Sequence, residues 1–382
     1  MTDLDALDRD DPLAAFPDRF DLPSGVVYLD GNSLGPLPRA TRPAVDALLA
    51  GAWGRDLIAS WEGNGWMAAP LRVGAAIGRL IGAEPGSVIA GDSTSINLFK
   101  ALAAALALRP GRTEIAVVAD DFPTDHYIAG GIAGLLGRGH RLRAGAPGPE
   151  TAVVLASHVD FRTGRMRPMA ALTAEAHAVG ALAVWDLSHS TGAVPLALAA
   201  AGADFAVGCG YKFLNGGPGA PGYLYVAPRH QGVDPALAGW MGHAAPFAFA
   251  SGYAPAQGIA RFGVGTPPIL GLAALEVGVG LALAADMAAL REKSLRMSTI
   301  FMEGAAALGG FGCLTPADPD ARGSQVCLTH PEAAAIMGRL AALGVVGDFR
   351  PPDILRFGIT PLTLRYRDIG RALACLAQAR GE

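Results

Sequence analysis

In the stretch Ala203-Asp-Phe-Ala-Val-Gly-Cys-Gly-Tyr-Lys-Phe-Leu-Asn-Gly-Gly-Pro-Gly219, one lysine, Lys212, joins an apolar, strand-like run to a glycine-rich loop. Earlier in the chain, Asp186 ends another apolar run, Ala181-Leu-Ala-Val-Trp-Asp186. A lysine that can form a Schiff base, with a carboxylate that can hold a pyridinium nitrogen, is the minimum equipment of a pyridoxal phosphate (PLP) enzyme. The plainer alternative for Lys212 is a lysine that extends from a strand end into water.

Short apolar runs alternate with helix-compatible stretches around this segment. Helices are predicted over 98–108 and 169–179, and strands over 115–119, 152–156, 181–185, 204–208 and 222–226. This alternation is typical of an α/β domain with a mostly parallel, buried sheet. Such sheets bind ligands at the carboxyl ends of their strands. The polar residues at or just past these ends are Asp120, Ser157, Asp186 and Lys212.

The character of the sequence changes after Pro267-Pro268. One or two long helices are predicted over 269–302, and the pattern from Gly309 onward indicates a small α+β domain. We therefore expect an N-terminal segment, 1–45, that packs with the small domain. A large PLP-binding domain should span 46–275, and a connector helix with the small C-terminal domain should span 276–382.

The composition excludes several classes of protein. Apolar residues make up 51% of the 382 residues and charged residues 17%, which is typical of a folded chain with a large core. The net charge of −4, with no basic block, argues against nucleic acid or an anionic membrane as a partner. The acidic N-terminus is unlike a signal peptide, and Glu276 and Asp286 interrupt the longest late apolar stretch. A cytoplasmic protein is the expectation.

Cysteine and histidine spacing gives no sign of a metal site. The cysteines are far apart and none forms a CxxC pair, so neither zinc nor a disulfide framework is indicated. The eight histidines show no HExxH pattern, and we predict no metal.

Two polar segments could contact a cofactor. The run Gly91-Asp-Ser-Thr-Ser-Ile-Asn97 precedes a helix, where backbone N–H groups, hydroxyls and the helix dipole favour a phosphate. An ordinary N-cap is the alternative. Phe122, in Asp120-Asp-Phe-Pro-Thr-Asp125, could lie flat on an aromatic ring, or it could be a core residue beside a proline turn.

Four further residues could belong to a functional site, and each also has a plain structural interpretation. His189 lies three residues after Asp186 and could simply hydrogen-bond within a turn. Tyr211 could donate to a phosphate, shuttle protons or only pack. Tryptophan residues are found most often in cores and interfaces, which is the plain interpretation of Trp240. Arg356, within an apolar stretch, suits two-point capture of a carboxylate, whereas a structural ion pair is the default.

These residues lie in segments that together resemble kynureninase, a PLP hydrolase of fold type I in the class V aminotransferase group. The resemblance runs from about Val26 to about Arg365 in the family's order. Its segments are Tyr28-Leu-Asp-Gly-Asn-Ser-Leu-Gly35, Ser93-Thr-Ser-Ile-Asn-Leu-Phe99, Asp121-Phe-Pro-Thr-Asp125, Trp185-Asp-Leu-Ser-His189, 204–219 and Thr266-Pro-Pro-Ile269. It implies the PLP-dependent transferase fold type I, with a mostly parallel mixed sheet in a large domain and a smaller α+β domain.

The resemblance also implies a role for each matching residue. Lys212 forms the Schiff base with PLP, Asp186 pairs with the pyridinium nitrogen, and His189 supports the ring face. Tyr211 is the expected proton shuttle, so the catalytic set is Lys212, Tyr211 and Asp186. The other expected cofactor contacts are Thr94, Ser95, Phe122, Asp125 and Ser157, with Trp240 and Thr266 reaching over from a neighbouring subunit. Arg356 should hold the substrate α-carboxylate, and Asn32 and Ser33 should line the substrate pocket.

The implied reaction is hydrolysis of the Cβ–Cγ bond of L-kynurenine to anthranilate and L-alanine, in tryptophan catabolism, by a homodimer with shared active sites. Thr266 stands where enzymes acting on 3-hydroxykynurenine commonly carry asparagine, so the unhydroxylated substrate is the expected preference.

Rival interpretations remain at the level of sequence. A cysteine desulfurase or another class V PLP lyase would need a mobile nucleophilic cysteine near Cys313 or Cys327. A non-catalytic PLP-binding protein would carry the same fold without the activity. An NAD-dependent oxidoreductase would need a G-x-G-x-x-G turn after the first strand, which this chain lacks.

Overall fold

The computed structural model describes residues 3–381, so Met1, Thr2 and Glu382, at the ends of the predicted terminal regions, lie outside the described residues. The α-helices are α1 (Leu4–Arg9), α2 (Thr41–Ala47), α3 (Ser60–Gly63), α4 (Ala69–Leu80), α5 (Thr94–Ala107), α6 (Pro123–Leu136), α7 (Met169–Ala178), α8 (Ile269–Ala284), α9 (Met287–Leu308), α10 (Ala333–Ala342) and α11 (Tyr366–Arg380). The strands are β1 (Val27–Tyr28), β2 (Val88–Ala90), β3 (Glu114–Val117), β4 (Arg141–Arg143), β5 (Thr151–Ser157), β6 (Leu182–Asp186), β7 (Phe205–Gly208), β8 (Tyr223–Val226), β9 (Gly312–Cys313), β10 (Gln325–Thr329), β11 (Val345–Val346), β12 (Asp348–Arg350) and β13 (Ile354–Gly358).

The large domain is built on a seven-stranded sheet in the order β2-β8-β7-β6-β5-β3-β4. Only β8 runs antiparallel to its neighbours, so the sheet is mixed and mostly parallel, as predicted. Strands β6, β7 and β8 are buried along their whole length, because helices cover both faces. One core lies between the sheet and α4, α7 and α8, and the other lies between the sheet and α5 and α6.

The sheet register brings the predicted strand-end residues together. Ser157 at the end of β5 is paired with Asp186 at the end of β6, and Asp186 is paired with Val207 on β7. The chain leaves β7 at Gly208 and reaches Lys212 four residues later, on the same edge. Parallel strands therefore place a carboxylate, a hydroxyl and a lysine at one end of the sheet.

The small domain contains an antiparallel sheet in the order β12-β13-β10-β9, packed against α9, α10 and α11. Strand β1 pairs in parallel with β11, with Val27 opposite Val345, and α1 packs on α11. The residues that precede the large domain thus contact the small domain.

Two helices, α8 and α9, occupy the region where one or two long helices were predicted, and they are bent by 86° relative to each other. The second is capped by Asp286, which precedes it and whose side chain accepts hydrogen bonds from the N–H groups of Ala288 and Ala289. Helix α8 contacts α2 and α4, whereas α9 packs on α11. The predicted boundary at 275/276 therefore lies inside α8.

Within residues 3–381, no single helix is long and apolar enough to cross a membrane, although the bent pair α8 and α9 together meets the criteria of length and composition. Nor do the described His, Cys, Asp and Glu side chains form a group of three or more that could hold a metal ion.

Candidate active site

A cavity of about 150 Å³ lies at the carboxyl ends of β5 and β6, beside Lys212. It is lined by Thr94, Ser95, Leu98, Phe122, Thr124, Asp125, Ser157, Val159, Phe161, Asp186, Ser188, His189, Tyr211 and Lys212. Every residue that the sequence predicts as a cofactor contact is among them, except Trp240 and Thr266.

The backbone at Lys212 is packed against the N-terminal segment. The N–H of Gly35 donates to the carbonyl of Tyr211 at 2.7 Å. A Cβ atom on Gly35 would lie 2.2 Å from the carbonyl oxygen of Lys212 and 2.4 Å from Asn215 Oδ1. Only glycine allows this approach, and the contact fixes the segment that carries Asn32 and Ser33 against the lysine.

Buried carboxylates face the lysine across the cavity. Asp186 is 6% exposed, and its Oδ1 accepts a hydrogen bond from the N–H of Ser188 at 2.7 Å. Burial raises the pKa of Asp186 above its usual range, although the Ser188 hydrogen bonds and Lys212 oppose the change. Asp125 is more strongly affected, because burial and then the charge of Asp186 raise its pKa well above its usual range. This end of the cavity favours a cationic or N–H donor group on a ligand.

The imidazole of His189 contacts the lysine directly. Nζ of Lys212 lies 3.0 Å from His189 Nε2. Burial, followed by the charges of Lys212 and Arg356, holds the pKa of His189 well below its usual range, so the ring is neutral. Burial raises the pKa of Tyr211 to about 12, so its phenol stays protonated well above neutral pH.

The residues around the cavity fit PLP. Thr94 lies at the first position of α5, and its Oγ1 is buried without a hydrogen-bond partner in the described part of the chain. A hydroxyl and free N–H groups at a helix N-terminus suit a phosphate. Phe122 is 39% exposed at the start of α6 and offers an aromatic face, while Asp186 and Lys212 supply the carboxylate and the amine.

The predicted substrate residues form a cluster outside the cavity lining. Arg356 on β13 is 1% exposed and donates to Ser33 Oγ at 2.7 Å and to the carbonyl of Phe161 at 3.0 Å. It also forms an ion pair with Asp348 at 2.5 Å. Because Phe161 lines the cavity, this cluster borders the cavity from the small-domain side. Asn32 is fully buried and donates to Gln325 Oε1 at 3.3 Å.

Trp240 and Thr266 lie away from the cavity beside Lys212. Trp240 packs edge-to-face on Trp61 at 5.8 Å between ring centroids, and Trp61 packs in turn on Trp66 at 5.6 Å. Thr266 lines an open, mainly apolar groove with Trp61 and Trp66. In a single chain, neither Trp240 nor Thr266 reaches the cavity beside Lys212.

Sequence reasoning missed several residues of the site. Asp121 accepts a hydrogen bond from the Ser157 N–H at 2.6 Å, and its place after a predicted strand was the available signal. Gln325 contacts His189, and its place at the end of Arg322-Gly-Ser-Gln325, a segment that fits the pattern of the family, was the available signal. Nothing in the sequence singled out Phe161, whose carbonyl contacts Arg356 from far away in the chain, or Asp348, which meets Arg356 through the pairing of β12 with β13.

The cysteines that a desulfurase would require do not line the cavity. Cys327 is fully buried on β10, and burial raises the pKa of its thiol to about 12. Cys313 is exposed on β9, and partial burial of its thiol also raises its pKa. A raised pKa disfavours the reactive thiolate in both.

The sequence of this chain is similar to those of proteins named kynureninase. The sequence model described as the kynureninase C-terminal domain matches residues 290–376. A protein named kynureninase from Deinococcus radiodurans is 51% identical over 100% of this chain and 97% of its own length. Proteins of the same name from Pseudomonas fluorescens and Burkholderia pseudomallei are each 45% identical, over 98% and 97% of this chain and 94% and 93% of their own lengths.

Solved structures share the fold at low sequence identity. A complex of the cystine C–S lyase C-DES with its reaction product cysteine persulfide aligns with a TM-score of 0.79, covers 93% of this chain and 98% of that chain, and is 22% identical. A cysteine desulfurase from Escherichia coli aligns with a TM-score of 0.80 over 96% of this chain and 98% of that chain, at 18% identity. These likenesses establish the fold, namely that of PLP-dependent enzymes of fold type I.

Proposed function

The chain belongs to the kynureninase family, and from this premise we propose how its residues divide the work of hydrolysing L-kynurenine to anthranilate and L-alanine. The enzyme is a PLP-dependent hydrolase of the Cβ–Cγ bond. The assignment of roles rests on one observation. Lys212, Asp186 and the N-terminus of α5 converge on the same cavity.

We assign the binding of PLP to the residues that line this cavity. Lys212 would hold it covalently, Asp186 would accept the pyridinium N–H, and Thr94 and Ser95 would bind the phosphate. Phe122 and His189 would cover the ring, with Asp125 and Ser157 alongside. Bound PLP supplies an electron sink for the negative charge that develops on the substrate.

The chain's own residues then move the protons. Lys212 Nζ takes the α-proton from the substrate, as the amine nearest the cavity. The phenol of Tyr211, whose pKa burial raises to about 12, is protonated at neutral pH and can donate a proton and recover it from water. We place this shuttle in the later steps, in which water adds to the γ-carbonyl and the Cβ–Cγ bond breaks.

Arg356 is the proposed site for the substrate α-carboxylate. Its Nε is buried and has no hydrogen-bond partner among residues 3–381, while its other nitrogens contact Ser33, Phe161 and Asp348. A carboxylate bound beside Ser33 would satisfy Arg356 Nε and share the guanidinium with Asp348. Asn32, next in the chain to Ser33, would border the same site.

A second copy of the chain would complete the site. An exposed apolar surface, which we call the apolar face, surrounds the groove near Thr266. Ile58 is 80% exposed there, Leu57 60% and Trp53 53%. Contiguous apolar surface of this kind favours a protein partner. We infer a homodimer whose partner subunit brings Trp240 and Thr266 to the Lys212 cavity. The cytoplasmic location stays a prediction from the composition.

Thr266 is the proposed determinant between substrates. The side chain of Thr266 is shorter than that of an asparagine at the same position. A 3-hydroxyl group on the substrate ring would therefore lack the hydrogen bond that an asparagine amide could form. We therefore expect kcat/KM to be higher for L-kynurenine than for its 3-hydroxy form, and Thr266→Asn to reduce or reverse the ratio. Steady-state kinetics with both substrates measures it, and a wild-type preference for the 3-hydroxy form contradicts the proposal.

The direct test of the function is to add L-kynurenine to the purified protein with PLP and follow the fluorescence of released anthranilate. A desulfurase instead predicts activity on cysteine that is lost on alkylation of Cys313 or Cys327. A non-catalytic PLP-binding protein predicts bound cofactor and no anthranilate. Either result would overturn the assignment.

A further inference from the structure

Gln325 connects the small domain to the lysine of the large domain. It is the first residue of β10, is 1% exposed, and lies opposite Gly358 on β13. Its Oε1 lies 3.1 Å from His189 Nδ1, and His189 Nε2 lies 3.0 Å from Lys212 Nζ. A chain of hydrogen bonds therefore runs from β10, through the imidazole, to the amine at the centre of the proposed active site.

The neighbours of Gln325 fix the orientation of its amide. The Nε2 atom lies 3.1 Å from the carbonyl oxygen of Phe161 and 3.3 Å from that of Asp160. Carbonyl oxygens only accept, so the nitrogen of the amide must face them. Asn32 Nδ2, a donor, lies on the opposite side at 3.3 Å from Oε1. The two carbonyls therefore direct Oε1 at His189, and the position of Asn32 Nδ2 is compatible with this orientation.

An amide oxygen beside His189 Nδ1 dictates where the proton of the ring lies. Oε1 can only accept, so Nδ1 must carry the hydrogen. The ring is neutral, because burial and the charges of Lys212 and Arg356 hold the pKa of His189 well below its usual range. Nε2 is consequently a bare acceptor, and Lys212 donates to it.

This arrangement matters for the reactivity of the lysine. If the proton were on Nε2, the imidazole would donate to the amine and occupy the lone pair that must form the bond to a cofactor carbonyl. With the proton on Nδ1, Lys212 donates an N–H in the contact, and once its ammonium has lost a proton the imidazole does not occupy the lone pair.

We propose that Gln325 is a positioning residue, which holds His189 as the Nδ1–H tautomer and thereby keeps the Lys212 amine free to bond with the cofactor. The role of Lys212 in this inference rests on the proposed function. The tautomer of His189 does not, because it follows from the burial of the neutral ring and from the orientation that the backbone carbonyls of Asp160 and Phe161 give Gln325.

The test uses the full chain labelled with ¹⁵N-histidine and freed of PLP, and His189 is assigned by the loss of its signals in His189→Gln. Nitrogen chemical shifts separate protonated from bare ring nitrogens. In wild type, we expect a protonated Nδ1 and a bare Nε2. In Gln325→Leu, a buried Nδ1–H would have no acceptor, so the proton should move to Nε2.

PLP is then added to both proteins, and the rate at which the visible absorbance band appears is compared. This rate should be about tenfold lower in Gln325→Leu than in wild type, which is equivalent to about 1.4 kcal/mol.

The matched control is Val326→Ala, the adjacent residue on β10, which is fully buried in the small-domain core. It should lower Tm and change neither the His189 tautomer nor the PLP rate. Gln325→Asn, which shortens the amide by one methylene, is the second variant if Gln325→Leu does not fold, and it should also lose the Nδ1–H tautomer.

A protonated Nε2 in wild type, or a tautomer unchanged in the Gln325 variants, would overturn the proposal. So would an equal effect of Val326→Ala, since that would reduce Gln325 to a packing residue. None of these measurements uses kynurenine. Absence of anthranilate release would therefore contradict the proposed function and leave the tautomer result standing.

Discussion

At the scale of single residues, His158 shows how burial sets the charge of a side chain next to the site. Its ring packs edge-to-face on Trp185, and Nδ1 lies 2.9 Å from Ser190 Oγ. Burial, with smaller contributions from the positive charges of Arg167 and Arg291, lowers the pKa of His158 to about 4. The folded state therefore favours the neutral form of this ring.

His158 should make the free energy of unfolding depend on pH. In the unfolded chain a histidine titrates near its usual pKa of about 6.5, so the unfolded state takes up a proton before the folded state does. The stabilisation is fully present above about pH 6.5, declines as the pH falls, and is lost near pH 4. This lowering of the His158 pKa corresponds to a change of about 3 kcal/mol at most in the free energy of unfolding.

Urea unfolding of wild type and His158→Gln, between pH 7 and pH 4, measures this effect. Glutamine keeps a hydrogen-bonding group near Ser190 and cannot take up the proton, so its stability should fall less steeply over that interval. His189, also neutral and buried, leaves a remaining slope in the variant. Identical slopes in the two proteins would contradict the assignment to His158.

Residue type also decides which site residues can be predicted. Lys212 and Asp186 could be predicted because an ionisable side chain after an apolar run needs a reason to be there. The contacts of Gln325 and Phe161 could not, since each has a partner more than a hundred residues away, and Asp348 meets Arg356 only through the pairing of β12 with β13. A sequence pattern carries no record of such a contact.

At the scale of elements, the close packing of the Gly35 turn on the Lys212 loop is the most demanding contact of the site. A methyl group on Gly35 would meet backbone atoms of Lys212 and Asn215, which cannot rotate away. Gly35→Ala should displace the turn or the lysine loop and destabilise the protein by about 3 kcal/mol. The affinity for PLP should fall with it, as measured by titration of the visible absorbance band.

Gly131→Ala is the control for that substitution. Gly131 lies on α6, is exposed, and would place its Cβ with nothing within 4 Å. Alanine there should raise the stability slightly, by about 0.5–1 kcal/mol. Equal stability and PLP affinity in Gly35→Ala and wild type would show that the turn tolerates a Cβ and that the approach is looser than described.

The elements themselves were predictable where burial gives a strong pattern. Strands β5, β6, β7 and β8 are buried apolar runs, and each was predicted within one or two residues. Strand β4 was not, because Arg141-Leu-Arg143 is an exposed edge strand held by ion pairs of its arginines with Glu114. Its position comes from a partner strand and not from its own composition.

At the scale of the whole molecule, the separation of Trp240 and Thr266 from the Lys212 cavity makes the site incomplete in one chain. The apolar face supplies a surface for a second copy. Ile58→Asp, which places a charge at its most exposed position, should convert a dimer to a monomer in light scattering and lower the activity. A wild-type monomer with full activity would contradict the shared site.

Mixing two inactive variants tests the sharing of residues between subunits. In a heterodimer of Lys212→Ala and Trp240→Ala chains, one site carries both changes and the other carries neither. If half of the dimers are mixed, about a quarter of the wild-type activity should return after subunit exchange. No recovery, when mixed dimers are shown to form, would place both residues in the same chain's site.

The central claim is that the amine of Lys212 performs the chemistry, and one measurement addresses it most directly. Wild type and Lys212→Ala are each supplied with PLP and L-kynurenine, and anthranilate fluorescence is followed together with the visible absorbance of the bound cofactor. Wild type should show both signals, whereas Lys212→Ala should lose the absorbance band and the turnover. Anthranilate release by Lys212→Ala at a rate near that of wild type would contradict the account.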